Sequence, residues 1–143
     1  MPDAARRQAL ILCTGNSCRS QMAEGWVNQR LGERWEAHSA GTRPAASVHP
    51  LAVKAMAEAG VDISSAVPKG VERFLDERWD LVVMVCDAAQ EACLAFPRPV
   101  PMLHVSFADP YFAPGNEQER MREFRRVRDD IRDRLLPEIE RRS

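Results

Sequence analysis

Apolar residues along the chain fall into two patterns, which predict an alternation of strands and helices. Short uninterrupted apolar runs are typical of strands buried on both faces of a parallel sheet, and Leu81–Val85 is the strongest such run. Apolar residues spaced three and four apart predict helices, as in the stretch from Glu117 onward. The predicted strands cover residues 8–13, 35–40, 81–85 and 102–105, and the predicted helices cover residues 17–31, 48–59, 71–77 and 117 onward. Residues 87–93 are predicted to form a short helix or an ordered loop.

This order of elements predicts an α/β fold, because strands that alternate with helices form a parallel sheet with right-handed crossovers. Four strands in 143 residues indicate an open four-stranded sheet flanked by helices, a flavodoxin-like architecture. We expect one domain over residues 4–142. We also expect a monomer, since no apolar stripe remains once the sheet is covered.

Composition excludes several classes of function. The net charge is -1, and the many arginines of the last helix alternate with acidic residues, so that helix is a solvated face and not a nucleic-acid site. No apolar run approaches the ~20 residues that a membrane helix needs. The apolar run after the first arginines is also shorter than the ~7–15 residues of a signal peptide. A cytoplasmic protein without a membrane or nucleic-acid partner is therefore expected.

One segment carries the most specific chemistry, the stretch Cys13–Ser20 between the first strand and the first helix. A strand, a tight loop and a helix N-terminus form an anion site, because free N–H groups and the helix dipole point at the bound anion. The pattern Cys-x5-Arg-Ser is typical of a thiolate nucleophile held beneath an oxyanion. The loop residues expected to bind the oxyanion are Thr14, Gly15, Asn16, Ser17, Cys18 and Arg19.

Each loop position suits this chemistry. Cys13 is the expected nucleophile, and its pKa should be lowered by the loop N–H groups, the helix N-terminus and a hydrogen bond from Ser20. Arg19 can face an oxyanion with two parallel N–H groups. Asn16 tolerates a left-handed conformation, and Gly15 permits a close backbone approach. Cys18 is explained equally well by packing.

Asp109 follows the last predicted strand and precedes a proline. The carboxyl ends of parallel strands meet at one edge of the sheet, where ligands bind. An oxygen leaving group needs a proton, and a carboxylic acid can supply it. Asp109 is therefore the candidate general acid, although a turn-forming Asp before Pro is the simpler alternative.

Cys86 and Cys93 form a second thiol pair. If the strands that end at Cys13 and Cys86 are neighbours about 4.8 Å apart, a Cys13–Cys86 disulfide is within the ~7 Å Cα limit. Seven residues of helix rise about 10.5 Å, so a Cys86–Cys93 disulfide requires that segment to unwind. Two buried structural cysteines are the alternative interpretation.

A metal centre is not expected. The four cysteines are not arranged in Cys-x2-Cys pairs, and the three histidines show no ligand spacing. The histidines, which we expect to be packing or capping residues, are His38, His49 and His104. No cofactor is expected either.

These motifs together resemble the thioredoxin-coupled arsenate reductases, which share the low-molecular-weight tyrosine phosphatase fold. The segments that carry the resemblance are Cys13–Trp26, Ser39–Gly41, His49-Pro50, Leu81–Val83 and Phe107–Pro110. The resemblance implies that Cys13 attacks arsenate held by the loop and Arg19, while Asp109 protonates the departing hydroxide. It further implies that Cys86 attacks Cys13 to release arsenite, that Cys93 then forms a disulfide with Cys86, and that thioredoxin reduces this disulfide.

The resemblance also implies a cation position. Some members of the family hold a potassium ion with the loop Asn, a Glu of the first helix and a Thr-x-Asp stretch. Asn16 and Glu24 match the first two, but the third stretch is Val67-Pro68-Lys69 here and offers no carboxylate. We hypothesise that the Lys69 ammonium replaces the cation.

Three functions stay open on the sequence. Arsenate reduction is the leading hypothesis, with glutaredoxin or a small thiol as alternatives to thioredoxin. A phosphatase acting on phosphotyrosine uses the same Cys13, Arg19 and Asp109, and a Tyr follows Asp-Pro here as in such phosphatases. A non-catalytic oxyanion-binding or redox-sensing module is the third.

Overall fold

A computed structural model describes residues 6–86, 96 and 99–142, and within them one parallel sheet forms the centre of the fold. The strands are β1 (Arg7–Cys13), β2 (Trp35–Gly41), β3 (Leu81–Met84) and β4 (Met102–His104). Their order across the sheet is β2-β1-β3-β4, and each neighbouring pair is parallel. The predicted open four-stranded parallel sheet is confirmed.

Three α-helices flank the sheet in the described part of the chain. They are α1 (Arg19–Arg30), α2 (Pro50–Glu58) and α3 (Glu117–Glu140). Two 3-10 turns, Val71–Phe74 and Pro110–Phe112, lie in the connections. Neither α3, the longest of these helices, nor the others carries an apolar stretch that could span a bilayer.

Most predicted boundaries agree with the structure to within two residues, but the helix predicted over residues 71–77 is only the four-residue turn Val71–Phe74. The indole N–H of Trp79 donates to the Phe74 carbonyl oxygen at 2.9 Å. The same carbonyl oxygen also accepts the Glu77 N–H at 3.2 Å, a bond between residues three apart in place of the four-apart bond of a continuing α-helix. The short helix or ordered loop predicted over residues 87–93 lies outside the described residues.

The core explains why β1 is a continuous apolar run. Residues 9–12 are completely buried, as expected for a central strand covered on both faces. Trp26 of α1 is also buried, and its indole N–H donates to the Arg128 carbonyl oxygen of α3 at 3.0 Å. Helices α1 and α3 are therefore joined by both packing and a partly buried hydrogen bond.

The register brings the carboxyl ends of the strands to one edge. Leu12 of β1 pairs with Met84 of β3, so Cys13 and Cys86 follow neighbouring central strands at the same edge. Val85 continues this pairing, since its N–H donates to the Leu12 carbonyl oxygen at 3.0 Å. The segment after β4 leads to Asp109 at the same edge.

Candidate active site

The Cys13–Ser20 loop is held by its carbonyl oxygens, which turn away from the site. The segment after β2 supplies the donors, and four backbone hydrogen bonds of 2.9–3.2 Å result. The accepting carbonyls belong to Cys13, Thr14, Gly15 and Ser17, and the donating N–H groups belong to Thr42, Arg43, Ala45 and His49. Because the carbonyls face outward, the loop N–H groups are left to face the sulfur, as an anion site requires.

Two loop features predicted from the sequence are present. Asn16 has a φ of 52°, the only positive φ outside glycine among the described residues, and its N–H donates to Cys13 Sγ at 3.1 Å. Cys18 precedes α1 without a side-chain cap, so the helix N-terminus keeps free N–H groups. A Cβ at Gly15 would meet no atom within 4 Å, so packing within the chain does not require this glycine.

Ser20 lies directly against the nucleophile. Its Oγ is 2.7 Å from Cys13 Sγ, and Asn16 Nδ2 donates to the same Oγ at 2.7 Å. A thiolate can only accept a hydrogen bond, so the Ser20 hydroxyl donates to the sulfur when Cys13 is ionised. The predicted hydrogen bond from Ser20 to Cys13 is thus present, and Asn16 orients it.

The net shift in the pKa of Cys13 differs from the expectation. Burial is the largest influence and raises the pKa of this thiol above its ordinary value, because only 2% of the residue is exposed. Hydrogen bonds from the Ser20 hydroxyl and from the N–H groups of Ser20 and Asn16 lower the pKa, as does the charge of Arg19. The expected lowering influences are present, but desolvation outweighs them.

Arg19 joins the loop to the segment after β4. Its Nη2 lies 3.2 Å from Asp109 Oδ2, and its Nη1 donates to the Phe107 carbonyl oxygen at 3.2 Å. The other Asp109 oxygen accepts the Tyr111 N–H at 3.0 Å, so Asp109 also caps the 3-10 turn that follows. The turn-forming interpretation of Asp109 is therefore correct, and the same turn holds its carboxylate over the loop.

A pocket of about 280 Å³ lies between these two segments. The Cys13 loop, Arg19 and Ala45 line it on one side, and Asp109, Tyr111 and Phe112 line it on the other. Phe112 is 79% exposed and Tyr111 is 44% exposed, and their ring centroids are 4.9 Å apart. The mouth of the pocket therefore carries an exposed aromatic pair.

Two further thiols lie near Cys13, one next to the loop and one within it. Cys86 Sγ is 3.6 Å from Thr14 Oγ1, so the second predicted redox cysteine is adjacent to the Cys13 loop. Cys18 is buried, and desolvation raises its pKa to about 12, which suits an inert packing residue better than a nucleophile. These three cysteines are free thiols in the structure. Cys93 lies outside the described residues.

The sequence of this chain is similar to those of known proteins over most of its length. A family model described as low molecular weight phosphotyrosine protein phosphatase matches residues 8–139. The chain belongs to this phosphatase family. Its curated relatives include an arsenate reductase of Halalkalibacterium halodurans, 48% identical over 125 residues that make up 87% of this chain and 89% of that protein. An arsenate reductase of Bacillus subtilis has the same identity and coverage.

Solved structures of the phosphatase family share the fold. A low molecular weight protein tyrosine phosphatase from T. tengcongensis has a TM-score of 0.78 at 26% identity, covering 94% of this chain and 99% of that one. A structure described as an arsenate reductase in the phosphate binding state has a TM-score of 0.80 at 27% identity, covering 96% and 99%. The predicted fold family is confirmed, and both kinds of enzyme occur among its neighbours.

The potassium position that the resemblance implies does not fit the residues of this chain. The Asn16 side-chain oxygen accepts hydrogen bonds from Gln21 Nε2 at 3.0 Å and from the Lys69 N–H at 2.9 Å. Glu24 Oε1 accepts from Ser39 Oγ at 2.5 Å, and Lys69 Nζ lies 3.9 Å away. These oxygens already have donors, and an ammonium group lies beside Glu24. Within the described residues, no three His, Cys, Asp or Glu side chains converge to hold a metal ion.

Several residues that support the site were not assigned a role from the sequence. Ser39 and Gln21 are buried and bond the Asn16 side chain. At Gly41, a Cβ would collide with the Thr14 carbonyl oxygen, so β2 can approach the loop only with glycine there. His49 is a capping residue as expected, since its Nδ1 accepts the Leu51 N–H at 3.1 Å. The backbone N–H of His49 also donates to the Ser17 carbonyl oxygen of the loop at 3.0 Å.

Proposed function

We propose that this protein is an arsenate reductase that uses Cys13, Cys86 and Cys93 in a thiol–disulfide cascade. The observation that carries the proposal is the second thiol beside the loop, where Cys86 Sγ lies 3.6 Å from Thr14 Oγ1. A phosphatase needs one thiolate, whereas reduction of an oxyanion by thiols needs a second one within reach. The 48% identity to curated arsenate reductases supports the same assignment.

The first step is nucleophilic attack on arsenate by the Cys13 thiolate. A sulfur–arsenic bond forms as an arsenic–oxygen bond breaks, and the hydroxide leaves as water with a proton from the carboxylic acid form of Asp109, which lies over the loop beside Arg19. The loop N–H groups and the Arg19 guanidinium hold the oxyanion. The Ser20 hydrogen bond favours the attacking thiolate, because a donor stabilises the charged form of the sulfur.

The second step transfers two electrons to arsenic. Cys86 attacks the Cys13 sulfur, a Cys13–Cys86 disulfide forms, and the electron pair of the sulfur–arsenic bond stays on arsenic as arsenite leaves. Leu12 pairs with Met84, so extending this register by one residue places Cys13 opposite Val85, and Cys86 lies one residue further along its strand. A strand spacing of ~4.8 Å and a rise of ~3.3 Å then give a distance of about 6 Å between the Cα atoms of Cys13 and Cys86, which is within disulfide range. Little backbone movement is then needed.

The third step restores the nucleophile. Cys93 attacks Cys86, which frees Cys13 and leaves a Cys86–Cys93 disulfide. Thioredoxin reduces that disulfide with its own two thiols, so each turnover consumes one dithiol and releases one arsenite. In this scheme the protein needs no cofactor.

A coupled assay with arsenate, thioredoxin, thioredoxin reductase and NADPH tests the cascade. Cys93→Ser should release about one arsenite per chain and then stop, because the Cys13–Cys86 disulfide is not passed on. The same variant should still hydrolyse p-nitrophenyl phosphate, which serves as the control for an intact loop. Unchanged steady-state arsenate reduction by Cys93→Ser would refute the cascade, and exchange of thioredoxin for glutaredoxin identifies the donor.

A second candidate function is hydrolysis of aryl phosphates, which the exposed aromatic pair at the pocket mouth favours. Tyr111 and Phe112 can stack on a phenyl ring whose phosphate lies in the loop, with Asp109 as the acid. Phe112→Ala should then reduce kcat/KM for phosphotyrosine by about tenfold, a typical loss for one aromatic contact. Arsenate reduction should change little. A protein that turns over neither substrate is instead an oxyanion-binding module.

A further inference from the structure

We propose that Lys69 is a built-in cation that positions the Cys13 nucleophile through a buried hydrogen-bond chain. The chain runs from the sulfur through Ser20, Asn16 and Ser39 to Glu24, and Lys69 lies at its far end. The inference rests on the proposed role of Cys13 as nucleophile, but it does not depend on which oxyanion Cys13 attacks.

The donors of this hydrogen-bond chain run outward from the Asn16 amide, towards Glu24 on one side and towards Cys13 on the other. Ser39 donates its hydrogen to Glu24 Oε1 at 2.5 Å, so its oxygen is free to accept from Asn16 Nδ2 at 2.9 Å. Asn16 Nδ2 also donates to Ser20 Oγ at 2.7 Å, which leaves the Ser20 hydrogen for Cys13 Sγ. A carboxylate can only accept hydrogen bonds, so Ser39 donates to Glu24 and accepts from the Asn16 amide, which holds that amide beside Ser20.

The middle residues of this hydrogen-bond chain are not accessible to solvent. Ser20, Asn16 and Ser39 are completely buried, so none of them can exchange its partner for solvent without cost. A carboxylate at the end of such a chain needs a nearby positive charge. The Lys69 and Glu24 side chains are 17% and 24% exposed, and their charged atoms are 3.9 Å apart.

Lys69 is held in this place by both its backbone and its side chain. Its N–H donates to Asn16 Oδ1 at 2.9 Å, and its carbonyl oxygen accepts the Gly41 N–H at 2.8 Å. Its ammonium donates to the Val67 carbonyl oxygen at 3.3 Å. A substitution at position 69 therefore removes the charge while the two backbone bonds can remain.

Three variants separate charge from packing. Lys69→Met keeps a long apolar stem without the charge, Lys69→Arg restores a positive charge, and Lys69→Ala removes the charge and opens space beside Glu24. Lys54→Met is the matched control, because Lys54 pairs with Glu117 at 3.5 Å on the surface, with the two side chains 56% and 72% exposed.

The first measurement is the rate of Cys13 alkylation by iodoacetamide at neutral pH, assigned by mass spectrometry of the Cys13 peptide. Lys69→Met should react about threefold more slowly, the size expected of a partly exposed ion pair acting through a network. Lys69→Arg and Lys54→Met should react at the rate of the unmodified protein. Equal rates for Lys69→Met and the unmodified protein would overturn the proposal.

The second measurement is thermal unfolding in potassium chloride against lithium chloride at equal concentration. The unmodified protein should melt at the same temperature in both salts, whereas Lys69→Ala should be stabilised by potassium by about 2–4 °C. A potassium-specific stabilisation of the unmodified protein, or none in Lys69→Ala, would contradict a built-in cation. Neither measurement uses arsenate, so a failure of the proposed reductase activity is recognised separately.

Discussion

The hydroxyl of Ser20 should control how fast Cys13 reacts, and Ser20→Ala tests this directly. The change removes a hydrogen bond of 2.7 Å to the sulfur while it leaves the N–H of residue 20 in place. Hydrogen bonds to charged groups contribute about 1.5–3 kcal/mol. Since about 1.4 kcal/mol corresponds to a tenfold change in an equilibrium constant, the thiolate fraction at neutral pH should fall about ten- to a hundredfold.

The reaction rate should fall less than the thiolate fraction. A thiolate becomes a better nucleophile as its pKa rises, and this offsets about half of the loss on a logarithmic scale. The expected decrease in the alkylation rate at pH 7 is therefore about three- to tenfold. At high pH, where both proteins are thiolates, the order should reverse and Ser20→Ala should react faster.

The assay is the rate of iodoacetamide alkylation of Cys13 across pH, followed by mass spectrometry. Ser17→Ala is the matched control, because the Ser17 hydroxyl contacts Cys18 Sγ at 3.5 Å and not Cys13. Its Cys13 rate should stay within about twofold of the unmodified protein. A Ser20→Ala rate unchanged at pH 7, or one lowered equally at every pH, would refute the reasoning, since the second result indicates a distorted loop.

Three further predictions follow from other contacts. Asp109→Asn should slow the first chemical step by about 10²-fold in a single-turnover assay, with oxyanion binding retained. Gly41→Ala should lower Tm by several degrees because its methyl group collides with the loop backbone, whereas Gly15→Ala should leave Tm within about 1 °C and weaken phosphate binding. The ion pair with Arg125 lowers the pKa of Glu58 to about 2, so its stabilisation is complete above the unfolded-state pKa of about 4.3 and is lost as pH falls towards 2. Glu58→Gln should therefore lower Tm by about 1–3 °C at pH 7 and have a much smaller effect near pH 2, where half of the Glu58 side chains are protonated in the folded protein.

The fold could be predicted from the sequence because each element carries a local signal. The buried run of β1 and the periodic apolar stripe of α3 depend on spacing alone. The turn at Val71–Phe74 was predicted as a longer helix because its end depends on Trp79, whose indole reaches a carbonyl that no local pattern reveals. Local propensity is overridden there by a specific hydrogen bond.

The anion-binding loop could also be predicted from a local sequence pattern. Cys13, Arg19 and Ser20 lie within eight consecutive residues, so their spacing alone predicts a thiolate beneath an oxyanion. The direction of the pKa shift of Cys13 was not predictable in this way. The sequence shows the donors that lower the pKa, but the degree of burial that raises it depends on how the whole sheet packs.

The sequence by itself determined which reactive groups this protein has, because the identity and spacing of the loop residues define an anion site wherever the loop lies. The order of the strands also predicted that Asp109 and Cys86 lie at the same edge of the sheet as the loop, but only the tertiary structure decided which atoms are in contact. Asp109 bonds Arg19 across 90 residues, Cys86 reaches Thr14 across 72, and Lys69 meets the Asn16 side chain across 53. These contacts arise from the parallel register of β1 with its neighbours and from the conformations of the loops at the carboxyl edge of the sheet, and no local pattern encodes that register or those conformations.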